Sequence, residues 1–280
     1  MDMNSKPTTM AMALMHTTKR KRRKRRSGVP HQYLTNLPRA LLEEVLSHVA
    51  SSSITNLFNA KRACKSMFEA SSQRCVLEHA AVLEKFPYIN RHNRRSSSSF
   101  LQECMESGNR EALFCTGMAE YFSTPETTES GLRRLRAAAA KGHAEARYVC
   151  GMILLCFAGG EDDDARKEGL GFLEGLRRSD TVRKCRKTVE SVMEHLWWVN
   201  GDGRGLAGRC WMGKDVRRGS CRCVEKEELK CLSRNPDFLW LRREEQVLEI
   251  VESRLCDLCF WDNEVPVFCN KLGPLNVFLL

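Results

Sequence analysis

The chain has little of what a membrane-spanning or disulfide-stapled protein needs. Its longest uncharged apolar stretch, Tyr148 to Gly160, is 13 residues, well under the roughly 20 that a spanning helix requires, so no membrane span is expected. No secretory leader is expected either, because a signal peptide puts charge ahead of its apolar core, whereas here the modest Met10 to Met15 stretch precedes the basic run. The 14 cysteines run from Cys64 to Cys269 without a compact, evenly spaced framework, which points to reduced thiols in a cytosolic or nuclear protein. No serine sits in a G-x-S-x-G setting, and no histidine follows position 195. The acidic run Glu161 to Asp164 lacks the alternating ligands and mid-loop glycine of a calcium loop. No catalytic constellation is legible, so a non-enzyme without cofactor or bound metal is expected.

What is present suffices for one or two domains: 280 residues, 42% of them hydrophobic. The net charge of +10 is local, since residues 1–26 carry +8 and the other 254 only +2. That distribution argues for a near-neutral body with a basic tag rather than a body that coats nucleic acid along its surface. Residues 1–30 have no apolar periodicity to offset the entropy of ordering and are expected to be a disordered basic tail. Eight consecutive cations, Lys19, Arg20, Lys21, Arg22, Arg23, Lys24, Arg25 and Arg26, form a signal that the acidic grooves of nuclear import receptors read in an extended chain. The expected location is the nucleus, with the cytoplasm second. A solvated tail with affinity for RNA or anionic surfaces stays open, because phosphate binding needs only charge.

From Leu37 the pattern becomes helical. Pro38 stands where a helix begins, since its missing donor is one that the first turn leaves unused. Leu41, Leu42, Val45, Leu46 and Val49 then recur at steps of three and four. Ser51 to Ser53 supply a break and capping hydroxyls, Ile54, Leu57 and Phe58 open a second helix, and a third passes through Met67 and Phe68 after a turn near Cys64. A longer helix is expected from Val76 to Phe86, ending at Pro87. The order Leu37-Pro38, Leu41-Leu42, Val45-Leu46, Leu57 and Arg62-Ala63-Cys64-Lys65 resembles an F-box over about 45 residues, Tyr33 to roughly Leu77. The tryptophan usual after Cys-Lys is replaced by Met67-Phe68. The resemblance implies a three-helix module at 31–90 that docks on the Skp-type linker protein of a Skp-cullin-F-box ubiquitin ligase. Leu37, Pro38, Leu41, Leu42, Val45 and Leu57 are carried over as its interface or module-core positions. The bland alternative is an amphipathic stripe that packs only within the protein.

Arg91 to Ser99 has no apolar member and reads as a flexible linker and domain boundary. After it, Glu111-Ala112-Leu113-Phe114-Cys115-Thr116-Gly117-Met118 is echoed 34 residues later by Glu145-Ala146-Arg147-Tyr148-Val149-Cys150-Gly151-Met152. Each copy is followed by a second helix opening with Gly-Leu, at Gly131-Leu132 and Gly169-Leu170. The second loop, holding Glu161 to Asp164, is about four residues longer. Helical hairpins at this period predict a short solenoid over 100–180. The phrase from Ala137 through Gly142-His143 to Ala146 resembles Sel-like relatives of tetratricopeptide repeats, which implies a scaffold that binds proteins on a concave face. An F-box, such repeats and then a Cys- and Trp-containing tail resemble a group of plant F-box proteins.

Residues 181–280 are the least legible. Cys210, Cys221, Cys223, Cys231, Cys256, Cys259 and Cys269 lie there with Trp197, Trp198, Trp211, Trp240 and Trp261. Cys256 and Cys259 have half of a zinc-knuckle spacing. With no histidine downstream, an all-thiolate site would need Cys256, Cys259, Cys269 and one of Cys221, Cys223 or Cys231; buried free cysteines are the competing reading. Gly203 to Gly208 fits G-x-G-x-x-G but is followed by Gly213 and Gly219 rather than a good helix. Gly208 to Asp215 has Walker-type spacing with an aspartate where the magnesium-binding hydroxyl belongs. Both read as turns. The expected architecture is thus mainly α: a three-helix F-box module, a short Sel-like solenoid and a poorly defined C-terminal region. The expected role is a non-catalytic adaptor that binds the Skp-type linker and its cullin scaffold on one side and an unidentified substrate protein on the other. The rival is a nuclear nucleic-acid-binding protein using the basic tail and a zinc-bound cysteine-rich C-terminus.

Overall fold

The computed structural model describes residues 37–85, 94–123, 125–157, 163–177, 181–200 and 255–271. Every regular element among them is helical. The N-terminal module is built from α1 (Arg39–Ser52), α2 (Ile54–Lys61), α3 (Lys65–Ser71) and α4 (Arg74–Leu77), followed by a 3-10 turn at Val82–Glu84. Pro38 is the N-cap of α1, extended at φ −50° and ψ 138°, and its carbonyl accepts the first helical bond from Leu42 N–H at 3.1 Å. The apolar stripe closes inward through Leu42, Leu46 and Ala50, which pack with Ile54, Leu57, Val76 and Leu77. Each large member contributes roughly 1.5–3 kcal/mol of burial.

Two local expectations change. Ser53 stands at the N-cap of α2, but no serine hydroxyl caps the helix: Ser51 and Ser52 hydroxyls donate back to His48 O at 3.0 and 2.8 Å. The first amide of α2, Ile54 N–H, instead donates at 2.9 Å to the Glu84 carboxylate, 30 residues away. The long helix expected from Val76 to Phe86 is broken after α4 because its carbonyls are taken elsewhere. Asn109 Nδ2 donates to both Leu77 O and Ala80 O at 2.8 Å, and Ala81 N–H donates to Ala50 O at 2.9 Å.

The repeats follow as α5 (Arg94–Glu106), α6 (Arg110–Ser123), a 3-10 turn at Pro125–Thr127, α7 (Thr128–Ala140), α8 (Ala144–Phe157) and α9 (Asp163–Leu173). Residues 94–99 of the expected linker are therefore helical, the first turns of α5. The helix runs on into an apolar anchor: Phe100 and Cys104 are buried. The module and the repeats are joined by the Asn109 bonds, by Leu83 N–H donating to Glu111 Oε2 at 2.8 Å and by Lys141 with Glu78 at 3.2 Å.

α6 pairs with α7 and α8 with α9, and α7 packs on α8. The Gly-Leu pairs do not open the second helices but lie inside them, at the crossing points. A Cβ on Gly131 would fall 2.3 Å from Tyr121 N and 2.8 Å from Gly117 O. The corresponding contact in the second hairpin sets Gly151 3.0 Å from Gly169 O by the same measure. The 34-residue echo is thus the spacing of two close helix crossings. Beyond the hairpins, α10 (Thr181–Asn200) lies over α8 and α6, and α11 (Asp257–Lys271) rests on α8 and α10.

Candidate protein-docking site

The six positions carried over from the F-box resemblance divide into two sets. Leu42 and Leu57 are 5% and 0% exposed and hold the module together. Leu41 and Val45, one turn apart on α1, are 48% and 42% exposed, with Pro38 exposed at the cap and Leu37 half-buried. Helical geometry produces the division, because 41 and 45 project about 100° away from the 42 and 46 stripe. An ion pair from Arg39 Nε to Glu43 Oε1, 2.9 Å, braces the same turn. Leu41 and Val45 are thus two adjacent branched apolar side chains left half in water on α1.

A second feature is a groove between the module and the first repeat helix. Phe58 on α2, Phe68 on α3 and Phe100 on α5 line a groove of about 750 Å³. The Phe58 and Phe100 rings are 5.0 Å apart, and Lys61 Nζ stands 5.7 Å from the centroids of both Phe68 and Phe100, a cation–π arrangement. Phe68, which takes the place of the usual tryptophan, is 55% exposed. Phe100 lies outside the segment that carries the resemblance, and no local motif marks it as completing this groove.

The repeats present a polar cleft of about 620 Å³ where the first turns of α6 and α8 meet α10. The helix starts are capped in parallel fashion by residues 34 apart. Asn109 Oδ1 accepts from Glu111 and Ala112 N–H at 2.9 Å, and His143 Nδ1 accepts from Ala146 N–H at 3.2 Å. The residues before them, Gly108 and Gly142, have φ of 85° and 78°, a left-handed conformation that glycine adopts without strain at a helix end. Burial pushes the His143 imidazole down to about 4, with Arg110 and Lys184 acting in the same direction and Glu145 opposing. Glu145 Oε2 is 3.5 Å from Nδ1, but a nitrogen that accepts the Ala146 amide carries no proton, so the contact is not an ion pair. Burial raises the Glu111 carboxyl, which the Leu83 amide partly offsets. Arg110, Lys184 and Lys187 rim this cleft.

The C-terminal helix is fastened to the repeats through a buried polar cluster. Tyr148 OH donates to Glu264 Oε1 at 2.5 Å, and Arg186 Nε donates to the same oxygen at 2.7 Å while its Nη2 bonds Oε2. Burial and the neighbouring carboxylate hold the Tyr148 phenol well above its ordinary range. Arg166 pairs with Asp262 at 2.8 Å, and Arg177 pairs with Asp257 at 2.5 Å and lies over the Phe260 ring.

Burial drives the thiols of Cys104, Cys150 and Cys185 up to about 12, so they stay protonated and are poor nucleophiles or metal ligands. Cys256 and Cys259 are half-buried, and the Cys259 amide donates to Cys256 Sγ at 3.5 Å, so the pair caps α11. Among the described residues no group of three or more His, Cys, Asp or Glu side chains is placed to hold a metal, and no helix is long and apolar enough to cross a membrane. The basic run Lys19 to Arg26, the glycine motifs between 203 and 215, and Cys210, Cys221, Cys223 and Cys231 lie outside the described residues.

Residues 83–194 match the family of plant tetratricopeptide repeats, from the 3-10 turn into α10. Two Arabidopsis thaliana proteins, both named as F-box proteins, are similar to the chain. One is 30% identical over 171 residues, 59% of this chain and 55% of the relative. The second relative is 27% identical over 125 residues, 44% of this chain and 74% of the relative. The chain therefore spans little more than half the length of the first of these F-box relatives. No solved structure matches it.

Proposed function

We propose that the chain is a substrate-recruiting adaptor of a Skp-cullin-F-box ubiquitin ligase. The observation that carries this reading is the outward pair Leu41 and Val45, exposed on a helix whose opposite stripe is closed on the module core. In this reading the pair, with Leu37 and Pro38, buries against the Skp-type linker protein, and the repeats or the C-terminal region hold the target. The names of the Arabidopsis relatives support it. The adaptor has no chemistry of its own. It raises the effective concentration of a target lysine next to a ubiquitin-charged enzyme. Lys19 to Arg26 serve as its nuclear import signal.

The test is co-purification of the full chain with a purified Skp-type linker at high salt, where charge-driven contacts from the basic tail fade and apolar docking persists. Leu41→Asp with Val45→Asp changes only exposed positions, so the variant keeps its helicity and thermal midpoint but loses at least 100-fold in affinity, as expected when charge is forced into an apolar contact. A Leu37→Ala, Pro38→Ala chain is expected to bind more weakly than the natural one. Undiminished capture of the linker by both variants overturns the reading. So does binding to nucleic acid alone that vanishes when Lys19 to Arg26 are removed.

A further inference from the structure

Two thiols that are far apart in the chain meet where the C-terminal helix lies on the repeats. Cys156 is in the last turn of α8 and Cys269 in the last turn of α11. Their sulfurs are 3.6 Å apart across a sequence separation of 113, and both residues are buried. The register that brings them together is fixed independently of the sulfurs. Tyr148 and Arg186 hold Glu264, Arg166 holds Asp262, and the Tyr148 and Phe268 rings meet edge to face at 5.8 Å. Closing to the bonded distance of about 2 Å asks each sulfur to move by less than about 1 Å.

We propose that Cys156 and Cys269 are a modification site: an oxidisable pair whose disulfide latches α11 to α8. The oxidant is a hydroperoxide such as hydrogen peroxide. One thiol gives up its proton, and the thiolate attacks the O–O bond, forming a sulfenic acid and releasing hydroxide that takes up the proton as water. The second sulfur then attacks the sulfenic sulfur, its own proton leaves with the departing hydroxide as a second water, and the S–S bond forms. Two thiols and one peroxide become one disulfide and two waters. Burial disfavours the thiolate, so the reaction is slower than oxidation of the exposed Cys64 and Cys75, but its product is the bonded pair rather than a higher oxide because the resolving sulfur is already in contact. A bond closing so long a loop removes much of the freedom of the unfolded chain. The latch does not depend on the adaptor reading.

The test uses the full chain, reduced, freed of reductant and treated with hydrogen peroxide, then blocked with an alkylating agent under denaturing conditions and digested. The expected result is a linked pair of peptides holding Cys156 and Cys269, two hydrogens lighter than their sum and separated by dithiothreitol. The oxidised chain should melt roughly 5–10 °C above the reduced one, a rise that is absent from Cys156→Ala and Cys269→Ala chains. Recovery of both cysteines alkylated as free thiols while Cys64 and Cys75 are oxidised overturns the proposal, as does linkage of either to a different cysteine. Because the peptide map is made on the natural chain, it decides the matter even if a variant folds poorly.

Discussion

At position 143 the chain places an imidazole where only a neutral ring serves. Protonating Nδ1 would remove the acceptor that caps α8 and would put a cation beside Arg110 and Lys184 in a buried setting. The ring also stacks on Phe114 at 4.8 Å. With its folded value near 4 and an ordinary value of 6.5, the unfolded chain binds a proton between those limits that the folded chain refuses. Stability is therefore complete above pH 6.5 and declines as the pH falls toward 4, by on the order of 3 kcal/mol from this group. Glu111 acts in the opposite sense, since its raised carboxyl is protonated earlier in the folded state. Replacing His143 by Asn, the capping residue already used at 109, isolates the imidazole: His143→Asn should keep its stability between pH 6.5 and 4 better than the natural chain does. Urea midpoints across that range measure it, and parallel loss in both chains would show that the ring is not the titrating group. Histidine at 143 was legible in the sequence as part of a Gly-His repeat phrase, but its capping role was not, since that depends on a bond to Ala146.

At the scale of elements, the hairpins are defined by where glycine lets two backbones meet. Gly131 is buried in the α6–α7 crossing, whereas a Cβ on Gly171 of α9 meets nothing within 4 Å. Gly131→Ala is expected to cost about 1–3 kcal/mol, because the obstructing atoms are backbone and cannot rotate away. Gly171→Ala should stabilise by up to about 1 kcal/mol through helix propensity and a less flexible unfolded chain. Thermal or urea unfolding of both variants checks the contrast, and equal losses would refute it. Gly131 was visible in the sequence because its Gly-Leu pair recurs at Gly169-Leu170, after the 34-residue echo that holds Gly117 and Gly151; Gly171 stands outside both repeats. Element ends were less visible. Glu84 caps α2 and Asn109 ends the helix after Leu77, and neither signal is local to the segment it governs. A run of four serines and two arginines forms the start of α5, because burial of Phe100 and Cys104 further along outweighs weak propensity.

For the whole molecule, the described C-terminal elements are integrated into the helical body. α10 covers the first helices of both hairpins, and α11 is bound to α8 and α10 by the Tyr148, Arg186 and Glu264 cluster. The sequence could not supply this arrangement: Glu264 is 116 residues from Tyr148 and 78 from Arg186, and although Tyr148 belongs to the repeat, neither Glu264 nor Arg186 carries a motif signal. The cluster makes a sharp energetic statement. Glu264 is 2% exposed, so its charge is tolerated only while Arg186 answers it. Arg186→Met removes that answer and should cost about 3–5 kcal/mol. Making the second change, Glu264→Gln, removes the charge while its amide oxygen still accepts from Tyr148 OH. The double variant should therefore recover most of the loss. A thermodynamic cycle over the natural chain, both single variants and the double measures the coupling. Coupling near zero would mean that α11 is held by its apolar face alone, through Phe260, Trp261 and Phe268. Strong coupling would make one buried carboxylate the clasp between the C-terminal helix and the repeats, next to the thiol pair that oxidation can close.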